Sequence, residues 1–242
     1  MLTKGKPQPP AQPRRFYSRA EAVPVEGAFE VQLDGRSVRT PGGARLRAPT
    51  LALAEQIAAE WRAQGEHIAV SEMTATRLAF TALDRAPEAR REVADEVARY
   101  AGSDVLCYYA NGPEALVERE LSHWLPVLEW AQEALGLTFV RAQGILHQPQ
   151  PAETLERVRV LALELSDFEL TGLVNAAGLY GSAVLAFAVQ RDKLGGEAAF
   201  ELSRLDEAFQ EQRWGVDEEA AARATRLRQE AAVLEQWFRA LA

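Results

Sequence analysis

The chain has 242 residues, 48% of them hydrophobic and 26% charged, a balance that suits one large or two modest folded domains and excludes wholesale disorder. Its net charge of −8 excludes the basic face that a nucleic-acid binder needs to neutralise phosphates. The single cysteine, Cys107, has no partner for an internal disulfide, which fits a reducing compartment.

Residues 1–15 read as a flexible tail: the opening is basic, holds four prolines and lacks the apolar run of a signal peptide. From Phe29 to Leu33 apolar and polar residues alternate, Asp34 and Gly35 supply a tight turn, and Val38 and Thr40 resume the period of two, so a β-hairpin is expected. Pro41, Gly42 and Gly43 signal a second turn. The stretch LALAEQIAAEWRAQG then predicts a helix capped by Thr50 and stopped at Gly65. These pieces make a small N-terminal α+β domain over residues 16–86.

Beyond it the chain reads as a mostly α-helical C-terminal domain, residues 87–242. Helices are expected over Pro87 to Tyr100, Pro113 to Leu135, Pro151 to Leu165, Ser166 to Ala177, Ser182 to Gln190, Glu197 to Trp214 and Asp217 to Leu241. Proline opens three of them, where its missing amide costs nothing, and Ser166 with Glu169 forms a capping-box pattern. Leu170 to Val189 is free of charge and long enough to cross a bilayer. Asn175, Thr171, Ser182 and three glycines dilute its apolarity, so two short buried helices around a break at Gly178 and Gly181 are expected instead.

Chemistry is harder to find. His67, His123 and His147 have no spacing that places two on one helix face as metal ligands, so no metal site is expected. No Walker-type loop, dinucleotide fingerprint or nucleophile elbow is present, and no cofactor is expected. Cys107 lies among large apolar residues in DVLCYYA, where a buried inert thiol is commoner than a nucleophile. The runs of acid and arginine in PEARREVADEVAR read as a solvated face.

One stretch stands apart, LDEAFQEQRWG from Leu205 to Gly215. Leu202, Leu205 and Phe209 form its core stripe, whereas Glu207, Gln210, Glu211 and Trp214 stand at i, i+3, i+4 and i+7 and share a second face turned away from that stripe. Either Trp214 packs on the following helix while the acids are solvated, or the indole and its polar neighbours form a recognition patch of the kind interfaces use.

Read together, RFY at Arg15 to Tyr17, LDGRSVRTP, EWRAQGEHI, the M-x-x-T-R-L pattern from Met73 to Leu78, DVLCY, GSAVLAFAV and DEAFQEQRWG resemble the assembly chaperones of the F-type ATP synthase that handle the alpha subunit of its catalytic head, found in mitochondria and alphaproteobacteria. The resemblance covers nearly everything past the tail. It implies an N-terminal α+β domain with a helical C-terminal domain, no nucleotide cofactor, and no enzyme. It implies a passive, ATP-independent role: a monomer, with no stable membrane insertion, shields the free alpha subunit until the beta subunit replaces it, in the bacterial cytoplasm or, for eukaryotic relatives, the mitochondrion. The family's late motif falls on Asp206, Glu207, Gln210, Trp214 and Gly215, with Glu207 as the acid tied to chaperone function. Partner binding is thus expected at Glu207, Asp206, Gln210, Glu211 and Trp214. Trp61 of the E-W-x-x-Q pattern is expected in the core or between domains. Tyr109 stands where the family more often has arginine, and Leu125 where it more often has aspartate. The rival reading is a cytoplasmic hydrolase using Cys107 or the Glu207 cluster.

Overall fold

The protein is described by a computed structural model covering residues 12–144 and 146–242; residues 1–11 of the expected tail lie outside the described residues. Asp34 and Gly35 both take positive φ, 48° and 79°, and fold β2 (Ala28–Leu33) back onto β3 (Arg36–Ser37). That is the conformation for which Asp-Gly is favoured in hairpins. A first strand, β1 (Ala20–Val25), pairs antiparallel with β2 from Ala20 opposite Leu33 to Val25 opposite Ala28, and β4 (Arg47–Ala48) also pairs with β2. The β1 strand was not expected from the sequence. Gly43, with φ 90°, turns the chain between Thr40 and Ala44, and the side chain of Asp84 accepts the Gly42 amide at 2.7 Å, pinning this turn to the second helix.

Helix α1 (Leu51–Arg62) begins as expected, with the Thr50 hydroxyl accepting the Leu53 amide at 3.1 Å. It buries Leu53, Ile57 and Trp61 against the sheet and ends at Arg62, short of Gly65. Gln64 ends it instead, its side chain donating to Glu60 O at 3.1 Å and accepting the Ala69 amide at 2.7 Å. The next helix, α2 (Thr74–Asp84), was not expected, because its N-terminus has no local cap. The Glu60 carboxylate, from α1, accepts the Ala75 and Thr76 amides at 2.8 and 2.7 Å and does that work from a distance. The E-W-x-x-Q pattern is therefore structural in this chain: Glu60 caps α2, Gln64 holds the loop, and Trp61 lies in the core edge-on to Tyr17, whose hydroxyl donates to Trp61 O at 2.7 Å.

The rest is helical: α3 (Ala86–Gly102), α4 (Glu114–Leu135), α5 (Ala152–Leu163), α6 (Asp167–Tyr180), α7 (Ala183–Gln190), α8 (Gly196–Ser203), α9 (Leu205–Trp214) and α10 (Glu218–Leu241). A parallel pair, β5 (Tyr108–Tyr109) with β6 (Ala142–Gln143), straps the ends of α3 and α4. The charge-free segment is two buried helices, as the glycines suggested, but Gly181 alone makes the break, in left-handed conformation with φ 62°. Gly178 stays inside α6. The Ser166 capping box is formed, with Ser166 Oγ accepting the Glu169 amide. No described helix is long and apolar enough to cross a membrane. α10 returns along α6 and α8 to α1, where Thr50 donates to Ala240 O and Gln56 donates to Val233 O at 3.2 Å. The α+β class, with a small β region before a helical remainder, is thus the fold observed.

One expected helix is two. Glu197 to Trp214 breaks at Arg204, whose φ is −116°. The Leu202 carbonyl would accept the Asp206 amide in a continuous helix, but it accepts the Trp124 indole N–H at 2.9 Å instead. A side chain from α4 thereby ends α8 and re-aims α9.

Candidate functional site

Helix α9 emerges from that break as a ridge. Leu205 is buried in the core and Phe209 is half-buried, so the expected apolar stripe does face inward. At the far end Trp214 is 77% exposed, and Val216 beyond the Gly215 turn is 58% exposed. The indole therefore does not pack on α10. The turn itself is set by Gly215, whose φ of 89° a side chain would rarely adopt.

The five expected residues lie along α9 and border different clefts. Glu207 lines a cleft of about 660 Å³ with Arg204, Phe200 and, at the start of α10, the capping Asp217 and Arg223. Asp206 and Gln210 line a second cleft, about 590 Å³, on the other side of the ridge, with Tyr108, Asn111 and His147. Glu211 is held by Arg204 at 2.9 Å, an ion pair that staples the break to α9 two turns on. Trp214 stands at the tip, in the lining of neither. Glu207 and Gln210 stay one turn apart along continuous α9, and each borders a different cleft.

Asp206 has a partner that sequence reading missed. Glu120 on α4 is fully buried, and its Oε2 accepts the Ala110 amide at 2.8 Å. Burial first, and then the neighbouring Asp206 carboxyl, push Glu120 up to about 7. A signal was present. Glu120 sits four residues after Leu116 and four before Trp124, on the stripe that continues to Leu128, Ala131 and Leu135. An acid on a core stripe is seldom there without a partner.

Cys107 is fully buried, and burial, reinforced by Asp104, raises its thiol well above its ordinary range, so little thiolate forms near neutrality. Asp104 serves the fold: it accepts the Leu106 and Val184 amides at 3.2 and 3.0 Å and so secures the start of α7. Tyr109 is buried with its ring 5.7 Å from Trp124, a packing position.

These observations meet a set of known proteins. Residues 14–132 match the family described as ATP12 chaperone protein. The chain is 27% identical over 226 residues to "Protein atp12, mitochondrial" of Schizosaccharomyces pombe, covering 88% of this chain and 78% of that protein. The crystal structure of Atp12 from Paracoccus denitrificans superposes with a TM-score of 0.87 at 37% identity, over 95% of this chain and 98% of that one. A single-residue mutant of the same Paracoccus protein matches with a TM-score of 0.86 over the same shares. Sequence, fold and nearly the full length agree, and the chain belongs to the ATP12 chaperone family.

Proposed function

We propose that this chain is an ATP-independent chaperone for assembly of the ATP synthase catalytic head, which binds the free alpha subunit and shields it until the beta subunit takes its place. The observation that carries this reading is the exposed Trp214 at the tip of α9, next to exposed Val216 and flanked by the acids and amides of the ridge. A large indole left in water on a well-packed fold is what an interface anchor requires. An unassembled subunit exposes apolar surface that would associate wrongly, and covering it needs area and complementarity, not a reaction. The partner contact is placed on Asp206, Glu207, Gln210, Glu211 and Trp214, with Glu207 as the leading anchor. The chaperone acts as a monomer in the bacterial cytoplasm, its eukaryotic relatives in the mitochondrion. No observation favours the hydrolase: Cys107 is sealed in the core and is absent from the lining of the cleft that Glu207 borders.

The test is binding and light scattering with purified alpha subunit and no nucleotide. The parent chain is expected to suppress aggregation. Glu207→Lys reverses a charge at the interface, where loss of a hydrogen-bonded charged partner costs about 2–5 kcal/mol, well over tenfold in Kd. Its folding cost, at an exposed first-turn position, is about 1 kcal/mol or less. Parental affinity in a folded Glu207→Lys chain would remove Glu207 from the contact, and suppression that requires ATP would overturn the passive mechanism.

A further inference from the structure

Across the contact between α4 and α9 two carboxyl groups meet. Glu120 Oε1 and Asp206 Oδ1 are both shielded from solvent with no donor partner among the described residues, and the two side chains lie within hydrogen-bonding reach of each other. An ionised carboxylate only accepts hydrogen bonds, so two carboxyl groups in contact must share a proton or repel.

We propose that Glu120 and Asp206 share one proton as a latch that fixes α9 on α4, and that losing this proton loosens α9. Glu120 is then a positioning residue: it acts through Asp206 on the helix that presents Glu207, Gln210 and Trp214. The geometry makes the latch matter because α9 has little else to rest on. It packs chiefly on α4, Leu205 is its one fully buried residue, and Gln210, Gln212, Arg213 and Trp214 are exposed. The other tie along this seam is modest, Arg119 donating to Gln212 at 3.2 Å on the surface.

The charged and titratable neighbours do not neutralise the pair. From β5, Tyr109 has its hydroxyl buried without a hydrogen-bond partner, near both Glu120 and Arg141, and Arg141, just before β6, forms no ion pair with either acid among the described residues. His147 lines the cleft on the open side of Asp206 and is bonded to the Tyr108 hydroxyl at 3.1 Å. On α4, Arg119 is engaged with Gln212, and on α9 Arg204 is engaged with Glu211. With burial and Asp206 pushing Glu120 up to about 7, the shared proton leaves across the neutral range. The charges then left face each other through Glu120 Oε1 and Asp206 Oδ1, the two oxygens shielded from solvent, beside the cleft that Asp206 lines.

Hydrogen exchange of the intact chain, read by mass spectrometry on peptides spanning residues 205–214 and corrected for the intrinsic pH dependence of exchange, tests this. In the parent, α9 opening is expected to rise by about tenfold from pH 6 and to level off above the closed-state value of about 7, since a single linked proton changes the opening constant by up to tenfold per pH unit only below that value. Peptides from α6 should keep their protection throughout. Glu120→Gln supplies an amide donor to Asp206 without titrating, and its α9 exchange is expected to be flat with pH; Asp206→Asn should behave alike and serves if the first variant does not fold. His147 is retained in both, so a surviving pH response would point to that imidazole. A flat parent, or a parental pH response in the two variants, overturns the latch. The experiment uses no alpha subunit, so its outcome is independent of the partner assigned above.

Discussion

Gly196→Ala puts the packing of the helical part to a test whose size can be read from distances. Gly196 opens α8 and lies against the backbone of α10: an added Cβ would stand 2.1 Å from Ala231 O, 2.8 Å from Ala231 C and 3.1 Å from Glu235 Cβ. A carbon and a carbonyl oxygen approach no closer than about 3.3 Å, so α8 must withdraw by roughly 1.2 Å. Neither obstacle at Ala231 is a flexible side-chain end that could swing away. Overpacking of this kind costs about 1–3 kcal/mol. The same movement stretches the bond from the Gly196 amide to Glu235 Oε2, now 2.6 Å, and that from the Tyr180 hydroxyl to Gly196 O, now 3.3 Å. A hydrogen bond to a charged group contributes about 1.5–3 kcal/mol, while the change from glycine to alanine returns about 0.5–1 kcal/mol of chain entropy. The net loss is then about 2–4 kcal/mol, or about 5–15 °C in Tm for a chain of this length. Urea unfolding followed by tryptophan fluorescence measures it. Gly102→Ala is the control, since no atom lies within 4 Å of its added Cβ, and it should stay within about 0.5 kcal/mol of the parent. A Gly196→Ala chain as stable as the control would refute the close approach of α8 to α10.

Two further outcomes follow from buried groups. Cys107→Ser should lower stability by about 1–3 kcal/mol, because its hydroxyl enters an apolar site, while capture of alpha subunit is kept; loss of capture with an unchanged melting curve would instead mean thiol chemistry. Asp104 gives a pH signature: burial raises it to about 6 despite hydrogen bonds from Ser182, Val184, Leu106 and Ala183. A carboxyl whose folded pKa lies above its unfolded value stabilises most at low pH, and that contribution is lost as pH rises through the folded value. The parent should therefore lose about 3 kcal/mol from this group between pH 4 and 6. Asp104→Asn, which does not titrate, should start less stable and see the gap to the parent narrow over that window; a constant gap would show Asp104 to be ionised throughout.

What the sequence made legible was what neighbours in the chain decide. The Asp34-Gly35 hairpin, the Thr50 cap, the Ser166 capping box and the Gly181 break all depend on residues within four positions of one another. The features that escaped depend on distant ones. Helix α2 begins where Glu60 reaches its amides from another helix, and β1 carries Pro24 and Glu21 in a stretch whose pairing is supplied by β2. The break at Arg204 is made by Trp124, 78 positions before the carbonyl it takes. Residues around it, SRLDEAFQ, have helical spacing throughout and no proline or glycine, so nothing local marks the interruption.

That interruption decides what the ridge can do. Glu207, Gln210 and Trp214 all lie on α9 and keep the shared side that the helical wheel gave them, so the break at Arg204 sets only how that side is aimed. It is α4 that orients α9: Trp124 takes the Leu202 carbonyl, Glu120 meets Asp206, and Arg119 reaches Gln212. Glu207 then opens to the cleft beside α10 and Gln210 to the cleft beside β5, with the indole of Trp214 between and beyond them. A partner that used Glu207 and Gln210 together would have to straddle the ridge, one arm in each cleft. Such a grip depends on the angle of α9, because tilting the helix moves Glu207, Gln210 and Trp214 together. The acid on the α4 core stripe, which looks misplaced when α4 is considered alone, has its reason in that angle.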